Sequence, residues 1–242
     1  MNGRKKIISF LIMGAIFAAL PVSSFAKELN KEQVDYVSLG DSLAAGQTPY
    51  RQLGDGYADY LVDRFEQSNY HVDLTKFGVS GFKTVNVINQ LMTNENGIQE
   101  AIKQAEVVTL DIGANDLLTS LTQIQQDPAQ AKVTLESIKK NLYVILDKIG
   151  KLNPNANVYV MGYYHPFPHL PEDQQEALSP LLDALNQTIQ GVSQAANDTF
   201  VPTEKVIEKQ EKDYIPNPHD IHLSSDGYQA VAKEFWKAIM NY

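Results

Sequence analysis

The sequence predicts an α/β fold, a three-layer α/β/α sandwich built around a mainly parallel sheet. Short runs rich in β-branched and aromatic residues alternate along the chain with longer stretches whose apolar residues recur every three or four positions. This alternation is typical of parallel strands joined by crossover helices that cover both faces of one sheet. A length of 242 residues and a hydrophobic content of 43% suffice for the core of one sizeable domain.

The first 26 residues differ from the rest of the chain. Three basic residues at positions 4–6 precede an apolar run from Ile7 to Leu20, and Ser24 and Ala26 supply small residues at the −3 and −1 positions of a cleavage site. This pattern is typical of a secretory signal peptide. A membrane anchor is the alternative, but the run is shorter than the about 20 residues of a spanning helix. We therefore expect a signal peptide over 1–26 and a single secreted or extracytoplasmic domain over 27–242, with no integral membrane segment.

The composition excludes several classes of site and partner. Without cysteine the chain has no disulfide framework, thiol nucleophile or Cys-ligated zinc. A formal net charge of −9 disfavours nucleic acid and anionic membranes as main partners. The pairs His165/His169 and His219/His222 have spacings that metals use, but prolines between the first two prevent the helix that would align them. We expect no metal and no cofactor.

Five strands and two long helices are predicted in order along the chain. The strands are Val34–Leu39, His71–Phe77, Glu106–Ile112, Asn157–Gly162 and, most weakly, Thr199–Val201. An apolar stripe over residues 135–149 predicts a helix that ends at Gly150. A second stripe over residues 228–239 predicts a helix for which Ser224 and Ser225 are suitable N-caps.

Polar turns follow the predicted strands. They occupy Gly40–Leu43, Phe77–Gly81 and Asp111–Asp116, and Asp220–Leu223 lies just before the last helix. Because the carboxyl ends of parallel strands meet at one edge of a sheet, we expect these turns to face a common crevice. The proline-rich segment His165–Pro180 follows the fourth strand and is predicted to be a pocket wall or lid, with a surface loop as the alternative.

The residue types in these turns suit nucleophilic catalysis on an ester. A serine hydroxyl needs a base within about 2.6–3.2 Å to accept its proton, and His222 is the candidate base for Ser42. Charge that develops on the carbonyl oxygen needs donors already directed at it, each contributing about 3–4 kcal/mol. The N–H groups of Ser42 and Gly78 and the side-chain amide of Asn115 are the candidate donors. Glycine at 78 would let the backbone approach the substrate without a Cβ.

These residues resemble the four blocks of the GDSL (SGNH) hydrolase family. Ser42 stands in the GDSL block, Gly78 in the glycine block, Asn115 in G-x-N-D and His222 in the terminal block, in the family's order and over nearly all of the chain after residue 26. The resemblance implies a flavodoxin-like sandwich, the SGNH hydrolase fold. It also implies hydrolysis of acyl esters or thioesters through an acyl-serine intermediate, without a metal.

The terminal block departs from the family pattern. The family commonly has Asp three residues before the catalytic histidine, where this chain has His219, while Asp220 stands two residues before His222. In an extended segment, side chains at i and i+2 share a face, so the Asp220 carboxylate can lie beside the imidazole. A backbone carbonyl that orients the ring would leave a Ser–His dyad instead. The sequence leaves both arrangements open.

Three functions are compatible with these motifs. The first is an exported esterase that acts on the acyl chains of lipids, aryl esters or small thioesters. The second is an esterase that removes acetyl groups from cell-wall or plant polysaccharide, and the third is a non-catalytic carbohydrate-binding relative. Intact Ser42, Asn115 and His222 argue against the third. Aromatic residues between Tyr163 and Phe167 favour an apolar pocket, although they also suit core packing.

Overall fold

One sheet of five parallel strands forms the centre of the computed structural model, which describes residues 32–240. Its order across the sheet is 2-1-3-4-5, the flavodoxin-like order, and every neighbouring pair is parallel. The strands are β1 (Glu32–Gly40), β2 (Tyr70–Lys76), β3 (Val107–Asp111), β4 (Asn157–Met161) and β5 (Thr199–Val201). The predicted fold class is therefore confirmed. The expected signal peptide, residues 1–26, lies outside the described residues.

Helices cover both faces of this sheet. They are α1 (Ser42–Ala45), α2 (Tyr57–Gln67), α3 (Thr84–Thr93), α4 (Ile98–Gln104), α5 (Ala114–Leu118), α6 (Leu121–Gln126), α7 (Ala129–Leu152), α8 (Glu172–Ala196), α9 (Glu204–Glu208), α10 (Glu211–Tyr214) and α11 (Ser225–Met240). A 3₁₀ turn at Glu95–Gly97 precedes α4. Helices α2 and α11 pack together in one layer, and α3, α7 and α8 pack in the other. Of the helices within residues 32–240, none is long and apolar enough to cross a bilayer.

The core follows the apolar patterns of the sequence. Every residue of β3 is buried, as expected for a central strand covered on both faces. The stripe predicted on α7 is buried at Ile138, Leu142, Ile145 and Ile149. On the opposite layer, Phe235 of α11 stacks on Tyr57 of α2 with ring centroids 4.8 Å apart.

Two predicted boundaries are wrong. Helix α7 passes through Gly150 and ends at Leu152. The side-chain amide of its C-cap residue, Asn153, donates to the carbonyls of Ile102 and Ala105 at 3.0 and 2.8 Å. A buried stripe and this terminal anchor outweigh the cost of a helical glycine, which is about 1 kcal/mol. Helix α8 begins at Glu172 and contains Pro180, so the predicted interruption ends earlier than Pro180.

Candidate active site

Ser42 is the first residue of α1 and directly follows the turn at the end of β1. The side chain of Asp41 caps this short helix by accepting the Leu43 N–H at 3.0 Å. Gly40 has a φ of +143°, and a Cβ at this position would collide with the carbonyl oxygen of Asp111 on the neighbouring strand. Glycine is therefore required, and Ser42 is held in a tight turn at the carboxyl edge of the sheet.

His222 is buried in the non-helical segment that leads into α11, with its carboxylate partner two residues before it. Oδ1 of Asp220 lies 2.5 Å from Nδ1 of His222 and also accepts the His222 backbone N–H at 2.9 Å. An Nδ1–H donated to this carboxylate leaves Nε2 as the unprotonated nitrogen. The amide nitrogen of Gln47 is 3.3 Å from the same Nδ1, which cannot accept from it while donating to Asp220. His219 is exposed.

Ser42, His222 and Asn115 line one cleft at this edge of the sheet. Its volume is about 720 Å³, part of it open to solvent. Most of its wall is apolar and consists of leucines on α5, α6 and α8, among them Leu117, Leu118, Leu121, Leu178, Leu181 and Leu185. The structure therefore brings three of the five predicted site residues to one apolar cleft, and Asp220 contacts one of them.

The proline-rich segment after β4 forms part of the same cleft. Residues 163–167 line it, which fits the predicted pocket wall. Tyr164 is buried, and its hydroxyl donates to the Ile221 carbonyl at 3.1 Å, next to His222. His165 and His169 contact different backbone carbonyls, those of Gln175 at 3.3 Å and Ile215 at 2.7 Å.

Asn115 lies in the first turn of α5 and is oriented by a neighbouring loop. Its Nδ2 donates to the carbonyl of Phe82 at 2.9 Å, which uses one of the two amide hydrogens. Asp116 beside it accepts the backbone N–H and the hydroxyl of Thr84 at 2.9 and 2.6 Å. Asp116 thus supports the turn, and the second N–H of Asn115 remains available.

Gly78 does not line the cleft. It follows β2 and packs against α1, where a Cβ would lie 2.5 Å from the Cβ of Ala44 and 2.6 Å from the backbone nitrogen of Ala45. Glycine is therefore needed at position 78 for close packing on α1. The sequence-based expectation, that glycine lets the backbone approach the substrate, gave a different reason. The neighbouring Val79 N–H donates to the Gly40 carbonyl at 3.2 Å.

A buried polar network beneath Ser42 is absent from the sequence-based site. Tyr163 donates to Asp41 at 2.8 Å, and the Tyr57 hydroxyl lies 2.6 Å from a carboxyl oxygen of Asp111. Burial raises the pKa of Asp111 well above its usual range, and the neighbouring Asp41 raises it further. The sequence signals for this network are two acidic residues, Asp41 beside Ser42 and Asp111 at the end of a mostly apolar strand.

Comparison with known proteins identifies relatives over most of the chain. The model of the GDSL-like lipase/acylhydrolase family matches residues 38–230. The spore germination lipase LipC of Bacillus licheniformis is 29% identical over 214 residues, which cover 83% of this chain and 94% of that protein.

Solved structures share the fold. The lipase Lip_vut3 from a goat rumen metagenome superposes with a TM-score of 0.72 at 27% identity, covering 86% of this chain and 97% of that one. The acetylxylan esterase Axe2 of Geobacillus stearothermophilus, solved as a catalytic mutant, gives a TM-score of 0.62 at 18% identity, covering 86% and 94% of the two chains. The second likeness concerns the fold alone.

Replacing Gly78 by alanine should displace α1. Because the new Cβ meets backbone atoms, we expect a destabilisation of about 1–3 kcal/mol and a loss of ester hydrolysis. Denaturant unfolding and kcat on an aryl ester measure the two effects. Gly150→Ala is the control, since its added Cβ meets no atom within 4 Å beyond the neighbouring residues and backbone of its own helix, and it should stabilise α7. Unchanged stability and kcat in Gly78→Ala would show that the loop after β2 does not support α1.

Proposed function

The chain belongs to the GDSL-like lipase/acylhydrolase family and is an ester hydrolase, and we propose that it cleaves carboxylic acyl esters through an acyl-serine intermediate. Ser42 is the nucleophile, His222 the base and Asp220 the residue that orients the imidazole. One observation carries the proposal: Ser42 and the Asp220-bound His222 line the same apolar cleft. The single domain extends over residues 27–242.

Proton transfer follows from the orientation of His222. With Nδ1–H held by Asp220, Nε2 accepts the Ser42 proton as Oγ attacks the ester carbonyl. The carboxylate then stabilises the imidazolium, which returns the proton to the departing alcohol. Water then attacks the acyl-serine, with His222 again accepting and returning the proton, and the carboxylic acid is released. The contact between Asp220 and His222 supports this triad over the Ser–His dyad.

The oxyanion would be stabilised by three donors. They are the N–H groups of Ser42 and Gly78 and the second side-chain N–H of Asn115. The hydrogen bond from Asn115 to Phe82 fixes the amide plane before substrate arrives, so no reorganisation is needed during the reaction. Gly78 packs against Ala44 and Ala45 of α1, the helix that begins at Ser42, and does not form part of the cleft wall.

The leucine-lined cleft favours an apolar acyl group. Walls built by α5, α6 and α8 suit the hydrocarbon chain of a lipid or an aryl ester better than an acetylated sugar. Removal of acetyl groups from polysaccharide is the second candidate, favoured by the fold shared with an acetylxylan esterase. A non-catalytic carbohydrate-binding role would leave the Asp220–His222 contact and the apolar cleft without a purpose.

Export is part of the proposal. The basic start, the apolar run and the small residues before position 27 are typical of a cleaved signal peptide. An enzyme that acts outside the cytoplasm would meet lipid or other ester substrates there. Neither a nucleic acid nor a resident cofactor is required by this chemistry.

The role of Asp220 is tested by three substitutions. We expect His222→Ala to abolish activity at pH 7 and Asp220→Asn to lower kcat by more than about tenfold, because the amide no longer holds the reactive tautomer. His219→Ala is the matched control and should be mild, since His219 is exposed. Measuring kcat of the three variants on one aryl ester decides the matter, and a nearly silent Asp220→Asn would favour the Ser–His dyad.

Acyl-chain selectivity should depend on the leucine wall. Leu181→Phe on α8 narrows the cleft, so we expect kcat/KM for long-chain p-nitrophenyl esters to fall by about tenfold relative to the acetyl ester. Val133→Phe, on the exposed face of α7, is the control and should leave this ratio unchanged. A wild-type enzyme that prefers acetyl esters and deacetylates polysaccharide would overturn the long-chain assignment.

A further inference from the structure

Asp111 is the buried side chain that holds both ends of the nucleophile turn. It ends β3 opposite Gly40 of β1 and is fully buried. Its Oδ2 accepts the backbone N–H of Asp41 at 3.2 Å and of Ala44 at 3.3 Å. These donors flank Ser42 in the chain, so one carboxyl group contacts the backbone on both sides of Ser42.

The other oxygen of Asp111 belongs to a chain of hydroxyl groups. Its Oδ1 lies 2.6 Å from the Tyr57 hydroxyl, which is 3.4 Å from both Ser38 Oγ and Thr109 Oγ1. A hydroxyl both donates and accepts. Tyr57 can therefore accept a hydrogen bond from an un-ionised Asp111 and donate one to Ser38 or Thr109. The site is thus compatible with an un-ionised acid.

The surroundings disfavour a second negative charge. Asp41 is also buried, and its two oxygens accept from Leu43 N–H and from Tyr163. Within residues 32–240 neither carboxyl forms an ion pair with lysine or arginine. The titratable groups that face the pair are His222 and five phenols, those of Tyr36, Tyr57, Tyr163, Tyr164 and Tyr228. Two adjacent buried carboxylates without a cation repel each other, so one of them retains a proton.

We propose that Asp111 is a positioning residue that holds the Ser42 turn as an un-ionised carboxylic acid. The proposal rests on the proposed function only in naming Ser42 as the nucleophile. Asp41, which caps α1, carries the negative charge of the pair. Burial and the charge of Asp41 both raise the pKa of Asp111, in agreement with this assignment.

A neutral Asp111 also suits the reaction. The oxyanion that forms beside Ser42 is negative, and an ionised Asp111 would add a second negative charge to that of Asp41 and oppose its formation further. Keeping Asp111 un-ionised lowers the stability of the fold as pH rises. Because the folded state retains a proton that the unfolded chain releases above a pH of about 4, the free energy of unfolding falls as pH rises through the interval up to the folded pKa.

Two substitutions separate a neutral from an ionised Asp111. Asp111→Ala removes the side-chain partner of the Ala44 N–H and leaves the Asp41 N–H with the Asp111 backbone carbonyl alone. It should lower kcat by about tenfold or more with KM little changed. Asp111→Asn reproduces the neutral acid, since its oxygen accepts the two N–H groups and its amide donates to Tyr57. We expect this variant to recover at least about one third of the wild-type kcat. It should also remove part of the fall in unfolding free energy between pH 4 and pH 8.

Infrared difference spectra give a readout that does not depend on activity. At pH 8 the wild type should show the carbonyl stretch of a protonated carboxyl, and Asp111→Asn should lack it. Asp198→Asn is the control: burial raises the pKa of Asp198 to about 6, so this residue is ionised at pH 8 and its replacement should leave the band unchanged. A missing band in wild type, a band that persists in Asp111→Asn, or an Asp111→Asn enzyme as impaired as Asp111→Ala would overturn the proposal. Absence of esterase activity with the band present would refute the proposed function alone.

Discussion

The close approach of Gly40 and Asp111, at the ends of two neighbouring parallel strands, is the constraint on which the site depends. No side chain fits at position 40, because the carbonyl and carboxyl groups of Asp111 occupy the space. The chain therefore turns sharply into α1 and presents Ser42 at the edge of the sheet. The same carboxyl holds the backbone on both sides of the serine. A strand pairing in the core thus determines the position of one hydroxyl group at the surface of the cleft.

The proposed base, His222, lies 180 positions after Ser42 in the sequence. Side-chain contacts nevertheless hold its segment against the loop that follows α1. Tyr228 of α11 donates to the Gln47 carbonyl at 2.6 Å, and Asn217 donates to the Pro49 carbonyl at 2.7 Å. A third contact joins Tyr164 to Ile221. Because α11 also packs on α2, the segment that carries Asp220 and His222 is held by the core on one side and by the cleft wall on the other.

Patterns within the sequence were sufficient for the sheet and for the grouping of Ser42, Asn115 and His222, since strand ends of a parallel sheet share one edge. They failed where long-range contacts decide the outcome. Helix α7 continues through Gly150 because the Asn153 side chain donates to the carbonyls of Ile102 on α4 and of Ala105 just after it. No local signal in the sequence reveals these contacts. The packing of Gly78 on α1 and the joining of Tyr57 and Tyr163 to buried carboxyls likewise depend on residues far apart in the chain.

Covalent labelling of the native protein tests the assignment of Ser42 most directly. Treatment with an organophosphonate, followed by intact-mass analysis and peptide mapping, should place a single adduct on Ser42. Ser42→Ala should acquire none and lose nearly all esterase activity while its circular dichroism spectrum is unchanged, because the substitution removes one hydroxyl group that lines the cleft and no part of the hydrophobic core. An adduct on Ser38 or Ser80 with Ser42 unmodified would contradict the account.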